Sequence, residues 1–276
     1  MSLGFTIDQG NKFNAIFAPL AKKIAVELQK HNVHIFFADQ NISQNFPRLI
    51  FGAHASPDFW LENKKNDDIF INLQPIYLTD WQVNNFAYCK LLNSSKTLDY
   101  TNKTKKILNQ SEFLPLPPLY QSIDKVTKDR EILFVGSVNK RRKLILDKLI
   151  NNDKIDISIK FEIFGQELFK EIEKSKILLD LNTHKDYMFN IYRFCLCADS
   201  NTLYIGEFGD TSDYPEIDEL KGLTIAHDYN ELLKIITNLQ SDEDHLKDLI
   251  LTQRKLAKRF EIKFQKFIGE FSKRLQ

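Results

Sequence analysis

Residues 134–142 read F-V-G-S-V-N-K-R-R, a set of side chains suited to holding a phosphate. Gly136 permits a tight turn, Ser137 and Asn139 supply short polar groups, and Arg141 and Arg142 supply two guanidinium groups. Asn139 is a natural helix N-cap. It would put Lys140, Arg141, Arg142 and Lys143 in a first helical turn, where the helix dipole makes each cation unfavourable by about 0.3–1 kcal/mol. An anion explains that concentration of charge, since free N–H groups already point outward there; the other account is a solvated basic face. Arg193 arrives later in the chain, after Asn182 and His184, and either joins the same anion or serves as a packing or surface residue. Glu207 ends a strand-like run. Its two oxygens suit a vicinal diol, or it is a capping or surface carboxylate. Phe164 and Gly165 offer a flat, backbone-exposed floor for a nucleobase, or Phe164 is a buried residue before a turn.

In the first half, His54 stands in G-A-H-A-S-P after a strand-like run. It fits a general base, because histidine alone has an unperturbed side-chain pKa near working pH, and it fits a hydrogen-bonded histidine in a turn equally well. Asp8 with Gln9 and Gly10 is another candidate base, as is His184, and the residues do not rank them. No H-E-x-x-H or Walker lysine motif occurs, so no bound metal is expected.

These residues must be positioned by alternating strands and helices. Apolar patterning predicts strands over 5–8, 33–38, 49–52, 68–73 and 97–100, with helices over 14–30, 81–92 and 102–108. A proline-limited stretch then leaves the domain at 113–119, and a polar segment, 120–130, has the character of a linker. After it come a strand over 132–136 and a helix whose Leu144, Ile145, Leu149 and Ile150 recur at helical spacing. Strands over 159–164, 177–181, 203–206 and 223–226 follow, with helices over 166–174, 189–198 and 229–239. Such alternation implies parallel sheets, whose ligands bind outside the carboxyl ends of the strands. Gly136, Gly165, Asn182 and Glu207 are therefore expected to line one crevice. Residues 242–276 read as one or two helices carrying Phe260, Phe264, Phe267, Phe271 and Leu275 on one side. That stripe suits packing on the first domain, or an interfacial helix on anionic lipid, which its lysines would favour.

The chain has 276 residues, 43% hydrophobic and 27% charged, which suits two folded domains and excludes a disordered or fibrous class. A net charge of +1 argues against a general nucleic-acid binder. Cys195 and Cys197 form a C-x-C pair without a second ligand pair, so they and Cys89 are expected to be thiols outside any metal or disulfide framework. No apolar run approaches bilayer-spanning length, and residues 1–10 lack a secretory pattern, so the cytoplasm is the expected location.

The run F-V-G-S-V-N-K-R-R, then F-G before a helix, K-I-L-L-D-L-N-T-H, Y-R-F and I-G-E resembles the donor domain of bacterial glycosyltransferases with the GT-B fold, in particular the spore-coat-maturation-like group. In the first half, F-I-N-L-Q-P-I with a downstream tryptophan and K-T-L-D-Y-T-N-K-T resemble that group as well. Two positions depart: Asn190 and Leu73 stand where the group has glutamates.

The resemblance implies two Rossmann-like domains facing across a cleft: an acceptor domain over 1–119, a linker over 120–130, a nucleotide-sugar domain over 131–240, and helices over 241–276 that return to the first domain. It implies transfer of a sugar from a nucleoside diphosphate to a saccharide or glycolipid, in bacterial surface-polysaccharide or glycoconjugate assembly. No cofactor, metal or nucleic acid is expected. The departing diphosphate would be met by helix N–H groups and cations, drawn from Gly136, Ser137, Asn139, Arg141, Arg142, Asn182, His184 and Arg193. Phe164, Gly165 and Glu207 would take the nucleoside, and His54 would be the base. A peripheral contact with the inner face of the membrane is the alternative location. A non-catalytic nucleotide-sugar or carbohydrate-binding relative, and a sugar-nucleotide epimerase or hydrolase, are the alternative functions.

Overall fold

The computed structural model describes residues 1–37, 46–108, 110–120, 127–183 and 188–275, with the side chains of 80 and 81 excepted. The chain divides into two compact units, residues 1–116 with 262–276, and residues 117–261.

The first unit begins with β1 (Ser2–Ile7), α1 (Ala18–Gln29), β2 (His34–Phe37) and β3 (Arg48–Phe51). There follow α2 (Pro57–Asn63), β4 (Ile69–Asn72), α3 (Thr79–Asn84), α4 (Phe86–Asn93), β5 (Lys96–Asp99) and β6 (Ser111–Phe113). Among the described residues, its six strands run in the order β2-β1-β3-β4-β5-β6, and every pairing is parallel. Strands buried on both faces explain the continuous apolar runs L-I-F in β3 and I-F-I in β4. Trp60, Phe70, Tyr88, Leu91 and Leu92 pack into one buried cluster.

The second unit contains β7 (Arg130–Val135), α5 (Lys140–Ile150), β8 (Ile157–Lys160), α6 (Gly165–Glu173), β9 (Ser175–Asp180) and α7 (Ile191–Cys197). It continues with β10 (Leu203–Glu207), β11 (Ile225–Ala226) and α8 (Tyr229–Ser241), after which α9 (Glu243–Leu275) carries the chain on. The strands are ordered β11-β10-β9-β7-β8, again all parallel. Its core joins Ile132, Phe134, Leu146, Leu149, Ile177, Leu179, Ile205 and Ile236.

Several expected elements are modified for identifiable reasons. The helix expected over 14–30 starts as a 3-10 turn, Lys12–Phe17, and becomes α-helical only at Ala18. Pro19 occupies the first turn of α1, the part of a helix that tolerates its missing N–H. The helix expected over 81–92 is two helices, α3 and α4, meeting at Asn85. The one expected over 102–108 is the 3-10 turn Asn102–Lys106. The strand expected to reach Phe164 stops at Lys160, and Glu162 has a positive φ of 57°, which breaks an extended run. Helix α2 and strand β6 were not anticipated. In α5 the buried face is Arg142, Leu146 and Leu149, while Leu144 and Ile150, expected to be buried, are exposed. Along α9 the buried stripe runs Phe260, Phe264, Ile268 and Phe271, with Ile268 in place of the expected Phe267. Cys195 and Cys197 are free, buried thiols and Cys89 is a free, half-buried one. Among the described residues no helix is long and apolar enough to cross a membrane.

Candidate functional site

In the second unit the chain leaves β7 toward β8 on one side and later returns to β9 on the other, so β7 and β9 flank the point where strand order reverses. Ligands of open parallel sheets bind at such points, outside the carboxyl ends. β7 ends there at Gly136, whose φ of 141° suits a residue without a Cβ. Asn139 caps α5 as expected: its Oδ1 accepts from Arg142 N–H at 2.9 Å. Its Nδ2 donates to Thr183 O at 3.0 Å, tying the turn after β7 to the turn after β9. The first-turn N–H groups of Lys140 and Arg141 precede the internal hydrogen bonds of the helix.

Three of the first-turn cations, Arg141, Arg142 and Lys143, have protein partners. Arg142 is buried, and its Nε and Nη1 donate to Leu181 O at 2.8 Å and Ser137 O at 2.9 Å. Its guanidinium lies 5.6 Å from the centre of the Phe134 ring. Arg142 thus ties the ends of β7 and β9 together through their carbonyls. Lys143 pairs with Asp147 one turn along the exposed face, at 2.9 Å.

Arg141 turns toward β10. Its Nη1 donates to Asn182 O and to Glu207 Oε2, each at 2.7 Å, and its Nη2 donates to Glu207 Oε1. Glu207 Oε2 also accepts from the Asn182 N–H at 2.6 Å. This hydrogen-bonded carboxylate raises the pKa of Arg141, with burial opposing.

Arg193 reaches the same turn from α7. Asn190 caps that helix, accepting from Arg193 N–H at 3.2 Å, so a short cap stands at the position where the resembling group has a glutamate. The Arg193 Nη1 donates to Val135 O, and its Nε lies 3.2 Å from Asp180 Oδ1. The other carboxylate oxygen of Asp180 accepts from Tyr204 OH at 3.0 Å. A Cβ on Gly136 would stand 3.4 Å from Arg193 Nη2 and 3.6 Å from Arg142 Nη1. Two guanidinium groups therefore converge on a single glycine.

Of the residues singled out from sequence, Gly136, Ser137, Asn139, Arg141, Arg142, Asn182, Arg193 and Glu207 are joined by these contacts. Phe164 and Gly165 are not. They begin α6 after β8, and the ends of β8 and β10 are separated by three strand spacings, about 14 Å. His184 lies outside the described residues. Asp180 and Tyr204 escaped sequence reasoning, although the polar end of K-I-L-L-D marked Asp180. Past Glu207, the rings of Phe208 and His227 lie with centroids 4.4 Å apart and planes tilted by 30°, another feature that the apolar pattern did not disclose.

The first unit has its own reversal of strand order, between β1 and β3. Gly52, with a φ of 76°, leads into the 3-10 turn Ala53–Ala55 that carries His54. The Nε2 of His54 lies 3.3 Å from Gln74 Nε2, and its ring packs edge-on against Phe17 and Tyr88. Burial lowers its pKa below 6.5, and the Asp8 charge partly offsets this, which favours the neutral imidazole a base requires. Asp8, the competing candidate, is buried. It accepts from Gly10 N–H at 2.7 Å, from Ser56 Oγ and from Trp60 Nε1, so its oxygens are committed to the fold. Beside His54, Asn72 donates to Asp99 Oδ2 at 2.7 Å and accepts from Tyr88 OH at 3.1 Å, a network at the ends of β4 and β5 to which sequence reasoning assigned no role.

No protein-family model matches the chain. Uncharacterized protein L140 of Acanthamoeba polyphaga mimivirus is 26% identical over 188 residues, spanning 68% of this chain and 58% of that protein. Among solved structures, T4 phage BGT in complex with UDP and Mn2+ superposes with a TM-score of 0.63 at 12% identity, covering all of both chains. A structure of the DNA-modifying enzyme β-glucosyltransferase gives 0.62 at 10% identity, covering 100% of this chain and 99% of that one. An O-GlcNAc transferase from Thermobaculum terrenum gives 0.50 at 9% identity over 100% of this chain and 67% of that one. The chain has the α/β fold of these GT-B glycosyltransferases, with two parallel-sheet domains.

Proposed function

We propose that this protein transfers a sugar from a nucleoside diphosphate to an acceptor hydroxyl. The observation that carries this reading is the convergence of Arg142 and Arg193 on Gly136, at the switch point of a parallel sheet and before the N-terminus of α5. Negative charge on a departing diphosphate is stabilised by such fixed donors. Glu207 takes the ribose, and His54 accepts the proton of the acceptor hydroxyl. Resemblance in fold to an enzyme solved with UDP supports the donor class. We assign the chemistry no resident metal or cofactor, because guanidinium and N–H groups offer the positive charge that a metal would otherwise supply.

For the acceptor, the sequence resemblance favours a saccharide or glycolipid, in surface-polysaccharide or glycoconjugate assembly in the cytoplasm or at the inner face of the membrane. A nucleic-acid acceptor is the second reading. It is favoured by the full-length fold match to a DNA-modifying enzyme and by Lys103, Lys105 and Lys106 in one turn of the first unit. Incubation with radiolabelled UDP-, GDP- and TDP-sugars, with oligosaccharide, lipid-linked saccharide or duplex DNA supplied in turn, tests the proposal. Label is expected in one acceptor. Binding without transfer would instead identify a non-catalytic relative, and release of free sugar a hydrolase.

A further inference from the structure

We infer that Arg141 is a positioning residue for Glu207, and that Glu207 in consequence reads one ribose hydroxyl of the donor and not both. The inference rests on the donor site proposed above. A carboxylate offers roughly four acceptor positions, two on each oxygen. On Glu207, Oε2 is filled by Arg141 Nη1 and by the Asn182 N–H, at 2.7 and 2.6 Å, and Oε1 already accepts from Arg141 Nη2. One position is left, on Oε1. A vicinal diol that placed one hydroxyl on each oxygen would have to displace Arg141 or the backbone N–H.

The clamp is well supported. Arg141 is itself fixed by Asn182 O, so the carbonyl and the N–H of one residue hold the two partners of the ion pair. The Glu207 side chain is 10% exposed and that of Arg141 30%. A planar guanidinium bound at two points dictates the plane of the carboxylate and so fixes where the last acceptor position points. Arg141, whose fork is spent on Glu207, is then not the main ligand of the diphosphate. That task falls to Arg142 and Arg193, which converge on Gly136, and to the N-terminus of α5.

The test is calorimetric titration of the full chain with UDP and GDP, each against its 2′-deoxy and 3′-deoxy analogues, and with inorganic pyrophosphate. In the wild type, removal of one hydroxyl should weaken binding about tenfold to a hundredfold, as expected for a hydrogen bond to a charged group, and removal of the other less than about threefold. Arg141→Gln should abolish that asymmetry while leaving pyrophosphate affinity within about twofold. Arg141→Lys, which keeps the charge without the two-point fork, should retain only part of the asymmetry. Equal losses for the two deoxy analogues would overturn the inference, as would an Arg141→Gln variant that keeps the asymmetry and loses pyrophosphate. Failure of the wild type to bind either nucleoside diphosphate would overturn the donor site itself, an outcome distinct from binding without asymmetry.

Discussion

The Nε of Arg193 stands 3.2 Å from Oδ1 of Asp180, a carboxylate 2% exposed, while its Nη1 donates to the last carbonyl of β7. One guanidinium thus neutralises a buried acid and faces the proposed diphosphate. Arg193→Ala would strand that acid, and breaking a buried pair costs about 3–5 kcal/mol. Arg193→Lys keeps the charge without the fork. It should fold, yet bind pyrophosphate and UDP about tenfold more weakly while uridine binding is unchanged. Equal affinity of the lysine variant and the wild type for pyrophosphate would remove Arg193 from the site.

Gly136→Ala should be costly even though no neighbour is closer than 3.4 Å to the new Cβ. The strain is in the backbone, since a φ of 141° disfavours any side chain, at about 1–3 kcal/mol. Chemical denaturation should reveal that loss, and titration should reveal weaker binding of nucleoside diphosphate in the variant that remains folded.

The pKa of His54 is depressed in the folded protein by burial. The unfolded chain therefore takes up this proton first as pH falls, so the associated stability is present above about 6.5 and is lost as pH drops through 6.5 toward the folded value. Unfolding free energy measured between pH 7.5 and 5 should fall less steeply in His54→Gln than in the wild type. If His54 is also the base, the same variant should lose transfer activity about 100-fold or more while still binding donor.

Asp8 provides the contrast. Its three donors make it a brace, so Asp8→Asn, which turns an N–H₂ toward at least one of them, should cost about 1–3 kcal/mol of stability. Donor affinity should be retained. A well-folded Asp8→Asn protein that binds donor but does not transfer sugar would shift the assignment of the base from His54 to Asp8.

Donor binding is expected to be unchanged, within about twofold, on addition of EDTA or of Mn²⁺, because fixed guanidinium and N–H groups provide the charge. Loss of binding in EDTA, restored by Mn²⁺, would reverse that assignment.

Much of the donor-side arrangement was legible because it is local. Gly136 ending a strand and Asn139 capping a helix are decided within a few residues, and both stand where the pattern put them. What Arg141 and Arg142 touch was not legible. Their partners, Glu207 and the carbonyl of Leu181, are 66 and 39 residues away in sequence, and carbonyl acceptors have no side-chain signature. Cations at an unfavourable helix end suggested an external anion, and the structure gives Arg141, Arg142 and Lys143 acceptors within the protein. Phe164 was misplaced for a different reason: apolar character continued past Lys160, while Glu162 ended the strand through its backbone. Asp8, a polar residue after a strand, looked the same on paper whether it was reactive or braced.

Gly206 has a consequence for how such a sequence can change. A Cβ there would lie 2.5 Å from the hydroxyl of Tyr204, the group that holds Asp180, which in turn pairs with Arg193. The smallest side chain at 206 is thus incompatible with the tyrosine as it stands, and the tyrosine cannot shift without releasing the acid behind the arginine. Drift at 206 is closed until position 204 has first become smaller. Positions 204 and 206 should therefore vary as an ordered pair among descendants of this chain, and an alanine at 206 beside an intact Tyr204 should mark a lineage in which the arginine has lost its task.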